Sequence, residues 1–90
     1  MEIEKISVQV MPEDRVDDFL KADKEVWDPW LQQQRGYIRK VPTVYPGGRV
    51  DLRIYWASKR DWDRASKDPE IPAIEVRMRS QFLGLYRKLP

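Results

Sequence analysis

Few residues in this sequence can carry chemistry. It contains no cysteine and no histidine. Disulfides, Cys/His metal sites, thiol nucleophiles and the common nucleophilic triads are therefore excluded. No metal site and no cofactor is expected. Asp23 stands out among the remaining polar groups because of its position. Val16, Phe19, Leu20, Val26, Trp27, Trp30 and Leu31 recur at helical spacing and form one apolar stripe. Asp23 falls in the middle of that stripe. Asp17, Asp18, Lys21, Lys24 and Glu25 fall on the other side. A carboxylate buried without a partner is costly, and desolvation raises its pKa toward the range of a general acid or base. One reading makes Asp23 a catalytic group facing a pocket. The other makes it a structural carboxylate bonded to a Trp N–H, a Tyr hydroxyl or an Arg.

Trp27 and Trp56, with Trp30 and Phe19, are the candidate walls of a small apolar ligand pocket. Their periodic placement equally fits plain core packing. Asp17/Asp18 and Asp61/Asp63 read as solvated pairs. Gly47 and Gly48 read as a turn, with no phosphate loop around them.

These residues need elements to position them. Residues 2–10 alternate apolar and polar, which predicts a strand ended by Met11-Pro12. A helix is expected over 13–27, with a restart at Asp28 as N-cap and Pro29 as first residue. Strands are expected at 37–45 and 49–57 around Pro46-Gly47-Gly48. Val50, Leu52, Ile54 and Trp56 share one face of the second. Lys5, Ser7, Gln9, Asp51, Arg53 and Tyr55 belong to the opposite sheet face. Ser58 to Asp61 has the form of a capping box, predicting a short helix over 59–66. A helix over about 72–84 carries a main stripe of Ile71, Ile74, Met78, Phe82 and Leu85. A narrower stripe holds Ala73, Val76, Ser80 and Leu83. Tyr86 to Leu89 could form a last strand. The order is β-α-β-β-α-β, a ferredoxin-like α+β pattern with an antiparallel sheet.

With 90 residues, the chain is expected to form a single domain over residues 1–90, with a core of marginal size. Without disulfides or metals, a partner subunit is the remaining source of burial. Basic and acidic residues, 17 and 15, are interspersed rather than clustered. The nearest thing to a basic patch, Arg77, Arg79, Arg87 and Lys88, is interrupted by Glu75, so nucleic acid is not an expected partner. The start lacks a signal-peptide core, and no apolar run is long enough to span a bilayer. A cytoplasmic protein without a membrane partner is the expectation.

The segment Ile54 to Trp62 resembles the W-x-S-x-x-x-aromatic element of the antibiotic-biosynthesis-monooxygenase-like superfamily. Asp23 to Leu31 and Gln34 to Tyr37 are similar to a small, chiefly cyanobacterial family within it. The resemblance covers most of residues 3–86. It implies a homodimeric α/β barrel built from two ferredoxin-like halves. Haem-degrading members use an Asn on the first strand, a Trp on the third and an iron-binding His. Trp56 matches the Trp, but the sequence has no Asn and no His. What the resemblance leaves is cofactor-independent monooxygenase chemistry on a small aromatic or apolar ligand. The alternative is a non-catalytic dimerisation module with a filled core.

Overall fold

The computed structural model describes residues 1–90. Strand β1 (Glu2–Met11) leads through a single 3-10 turn (Glu13–Arg15) into helix α1 (Val16–Val26) and a short helix α2 (Asp28–Gln32). Strands β2 (Tyr37–Val44) and β3 (Arg49–Trp56) form a hairpin. Helices α3 (Lys59–Ser66) and α4 (Ile71–Gln81) follow, and strand β4 (Leu85–Lys88) closes the chain. The sheet is four-stranded in the order β2-β3-β1-β4, every pairing antiparallel. This is the ferredoxin-like α+β fold expected from the element order. As one chain, the sheet is open rather than closed into a barrel.

Register follows from period-two patterning, since only one register buries the apolar set. Ile6 lies opposite Leu52 and Val8 opposite Val50. These residues, with Val10, Ile54 and Trp56, form the sheet's contribution to the core. The helices cover that face with Val16, Phe19, Ala22, Leu31, Ile74 and Met78. Phe19 and Phe82 meet edge to face at 5.6 Å, which joins α1 to the end of α4.

Local signals set the element ends. Ser58 Oγ accepts a hydrogen bond from Asp61 N at 3.1 Å, and α3 spans 59–66 as its capping residues predict. Gly47 and Gly48 both take positive φ in the hairpin turn. The Gly48 carbonyl accepts from Val10 N at 2.8 Å, and a Cβ there would lie 2.6 Å from the Val10 carbonyl oxygen. Only glycine lets the turn pack so closely on β1.

Several expectations need correction. Helix α4 stops at Gln81, not 84, because Phe82 turns to extended backbone (ψ 116°) and buries its ring. Leu83 and Leu85 therefore lie outside the helical stripes and are 85% and 69% exposed. Val76 is also exposed, so the narrower stripe of α4 meets nothing within the chain. Asp28 caps nothing: no side-chain cap bond forms at α2, and its carboxylate reaches Lys40 instead. Asp61 is not solvated. It is tied to Ser58 and Arg64 and packs against Gly36.

The outer sheet face has its own polar centre. Asp51, 1% exposed, lies beneath basic side chains. Ser7 Oγ donates to it at 2.7 Å and Arg49 Nε at 3.2 Å, with Arg53 and Lys5 further out. The Ser7 hydroxyl first, and Arg49 next, hold its carboxyl below the ordinary 3.8. A depressed native pKa gives stability that is present above the unfolded value and lost as pH falls through the native one. In Asp51→Asn, urea midpoints should therefore fall less steeply than in the parent between about pH 5 and about pH 2. Equal slopes would contradict the assignment.

Candidate functional site

Lys40 occupies the inner face of edge strand β2. Tyr37 opposes Trp56, and a bulge at Ile38 then shifts the phase. After the bulge, Lys40, Pro42 and Val44 oppose Ile54, Leu52 and Val50 on the inner face. Arg39 turns outward, its guanidinium 4.5 Å from the centre of the Tyr55 ring. Strict alternation counted from Tyr37 would have put Lys40 in solvent, and the bulge puts it under the helices.

Lys40 Nζ lies 2.5 Å from Asp23 Oδ2 and also contacts Asp28 Oδ1. The Lys40 and Asp23 side chains are each only 8% exposed. Asp28 reaches the same lysine because α1 and α2 are nearly continuous. Trp27 N donates to the Asp23 carbonyl at 2.8 Å, and Leu31 N to the Trp27 carbonyl at 3.0 Å. Pro29, early in α2, brings no N–H of its own. Two acids therefore share one base. Burial opposes the charge on Lys40, but Asp23 and Asp28 outweigh it and its pKa ends raised. Burial also raises the pKa of Asp23. Lys40 pulls it down, Asp28 adds to the rise, and the balance is upward. One cation cannot fully compensate two carboxylates, so the more deeply buried acid carries the deficit.

This cluster forms part of the wall of a cavity of about 240 Å³ between the helix layer and the sheet. Phe19, Asp23, Trp27, Trp30 and Trp56, the five residues singled out in the sequence, all line it. The sheet contributes Ile6, Leu52 and Ile54, and α4 contributes Met78. The rest of the lining is mostly apolar. Asp23 thus meets both descriptions given for it: it touches open space and has a bonded partner. That partner is a lysine, not the Trp, Tyr or Arg expected. Trp27 and Trp30 pack edge to face at 5.8 Å. Trp30 Nε1 donates to Asp68 Oδ2 at 2.8 Å, which holds the α3–α4 loop against α2.

Sequence reasoning missed a second acid in this cavity. Glu4 sits on the inner face of β1, opposite Ile54. It continues the period-two set Ile6, Val8 and Val10 toward the N-terminus, so the signal was present. Trp56 Nε1 donates to Glu4 Oε1 at 3.0 Å. Burial raises the Glu4 pKa, while the Trp56 bond and Lys88 lower it; burial prevails. Lys88 itself pairs with Glu75 at 3.0 Å. No three acidic side chains gather into a cluster able to hold a metal ion. No helix is long and apolar enough to cross a membrane.

No family model matches the sequence, and no curated protein matches it. Solved structures do. A cofactor-independent oxygenase from Streptomyces nogalater, SnoaB, aligns with TM-score 0.68 and 11% identity, over 98% of this chain and 89% of that one. A monooxygenase from Streptomyces coelicolor, ActVA-Orf6, in complex with nanaomycin D, aligns with TM-score 0.72 and 12% identity, over 97% and 81%. A dimeric ferredoxin-like protein from an uncultured marine organism aligns with TM-score 0.68 and 19% identity, over 97% and 89%. At these identities the likeness establishes a shared fold.

The buried charges make a sharp prediction. Lys40→Met leaves Asp23 without its cation and should destabilise the chain by about 3–5 kcal/mol. Urea denaturation measures it. The triple variant Lys40→Met/Asp23→Leu/Asp28→Asn should recover most of that loss, because removing all three charges together leaves none orphaned. A Lys40→Met effect below about 1 kcal/mol, the range of exposed pairs, would contradict the pairing.

Proposed function

We propose that this chain forms a homodimer and binds a small aromatic molecule of one or two rings in the helix–sheet cavity, where Asp23 accepts a proton from it. The carrying observation is the cavity itself, walled by Trp27, Trp30, Trp56 and Phe19, with a buried carboxylate at its side. Its size limits the ligand. An apolar cavity of about 150 Å³ takes up benzene, and drug-sized sites begin near 300 Å³. A space of 240 Å³ fits between the two. The resemblance of the Trp56–Trp62 segment to monooxygenases, and the fold shared with two oxygenases, support oxygen chemistry in this cavity. The closer likeness to chiefly cyanobacterial proteins belongs to this reading too.

The chemistry requires no cofactor. Asp23 takes the proton of a phenolic O–H, and the electron pair delocalises to a ring carbon. The phenolate gives one electron to dioxygen, and the ring radical and superoxide combine to form a C–O bond. Asp23 protonates the resulting peroxide, then takes the ring C–H proton as the O–O bond breaks and passes it to the departing hydroxide. Phenol and dioxygen become quinone and water, with every electron supplied by the substrate. The raised pKa of Asp23 makes it a stronger base than an exposed aspartate. A second reading is favoured by the Lys40 pair: Asp23 is purely structural, and the chain is a dimerising module.

Affinities for 2-naphthol and naphthalene, read by tryptophan fluorescence, separate the two. Asp23→Asn should weaken 2-naphthol about tenfold, the effect of one charge-assisted hydrogen bond, and leave naphthalene unchanged. If both affinities hold and only stability moves, Asp23 is structural. The dimer is tested by sedimentation. The outer sheet face exposes Ile3, Met11, Val41 and Leu85, apolar surface that a second copy would cover. A dimer is expected at micromolar concentration, and a clean monomer would overturn the paired-sheet arrangement.

A further inference from the structure

The cavity has two polar ends. Lys40, Ile54 and Glu4 lie in one row across three adjacent strands, since Lys40 and Glu4 both pair with Ile54. Two strand spacings place the backbones of Lys40 and Glu4 about 10 Å apart. Ile54 forms the apolar floor between them. At one end, Lys40 is held by Asp23 and Asp28. At the other sits Glu4. Its Oε1 accepts from Trp56 Nε1, and its Oε2 takes no hydrogen bond from the protein. The nearby cation, Lys88, is paired with Glu75. The lining carries Glu4, Asp23 and Glu75 against Lys40 and Lys88, a net negative charge.

Glu4 is half-buried, and its free carboxylate oxygen can exchange water for a donor on a ligand in the cavity. An anion entering there would face repulsion and find no free cation. The geometry points to Glu4 as the second ligand-anchoring residue, and to a two-ring aromatic ligand with hydrogen-bond donors at opposite ends, one for Asp23 and one for Glu4, to the exclusion of aromatic carboxylates. Trp56 acts as the positioning residue, fixing the Glu4 carboxylate through its indole N–H. The inference rests on the aromatic-pocket reading above.

The test compares three probes on the intact protein by tryptophan fluorescence: 2-naphthol, 2,6-dihydroxynaphthalene and 6-hydroxy-2-naphthoate. The parent should bind 2,6-dihydroxynaphthalene about tenfold more tightly than 2-naphthol, and 6-hydroxy-2-naphthoate at least tenfold more weakly, as a lost charge-assisted bond and a like-charge contact require. Glu4→Gln should abolish the dihydroxy preference, relax the rejection of the naphthoate and leave 2-naphthol within twofold. Gln can still accept from Trp56, so the wall persists, and circular dichroism checks it. The parent's probe ranking decides even if that variant does not fold. Equal binding of all three probes, or a Glu4→Gln loss common to all three, overturns the role of Glu4 while the pocket stands. If the parent binds neither naphthalene nor any naphthol, the pocket reading falls and takes this inference with it.

Discussion

A buried lysine shared by two carboxylates anchors the corner on which the rest of the site depends. Lys40 comes from the edge strand, Asp23 from α1 and Asp28 from the start of α2. Loss of Lys40 would strand two carboxylates in a low-dielectric setting. The contact therefore pins the α1–α2 corner over β2. It also accounts for the cavity. Apolar side chains would close a void by collapsing into it, as neighbours do after large-to-small changes. An ion cluster with fixed partners cannot slide inward in that way. The helix layer is held at the sheet by charge at this corner and by the Phe19–Tyr86 aromatic contact nearer the start of α1.

The two faces of the sheet answer different demands. The inner face is apolar except at its margins, where Glu4, Lys40 and Lys88 reach the cavity. The outer face gathers basic groups over Asp51 and leaves Ile3, Met11, Val41 and Leu85 uncovered. In the proposed dimer this is the surface a second copy would cover. Polar satisfaction at Asp51 within one chain lets that face meet a partner without leaving a carboxylate unpaired.

Much of this was legible in the sequence. Period-two alternation gave β1 and β3 and their faces. Ser58 located α3, and the apolar stripe placed Phe19, Asp23, Trp27 and Trp30 toward one interior. The misses have physical causes. Lys40 was hidden by a one-residue bulge, which no alternation pattern reveals in advance. Asp28 looked like a cap because its residue type favours capping, but a buried cation outcompeted the backbone N–H groups for it. Glu4 is in phase with the apolar set of β1, but a charged residue type gives no apolar signal at that position. The end of α4 was overextended because apolar residues continued at helical spacing through Leu85, while Phe82 reached the core by leaving the helix.

The central claim is that the space beside Asp23 and Trp56 is a ligand cavity rather than a packing defect. A crystal structure of the protein soaked with indole tests it most directly. A planar ligand is expected between Trp27 and Trp56, above Ile54, with the Lys40–Asp23 pair unmoved. A helix–sheet interface filled by its own side chains, with no ligand density between the tryptophans, would contradict it.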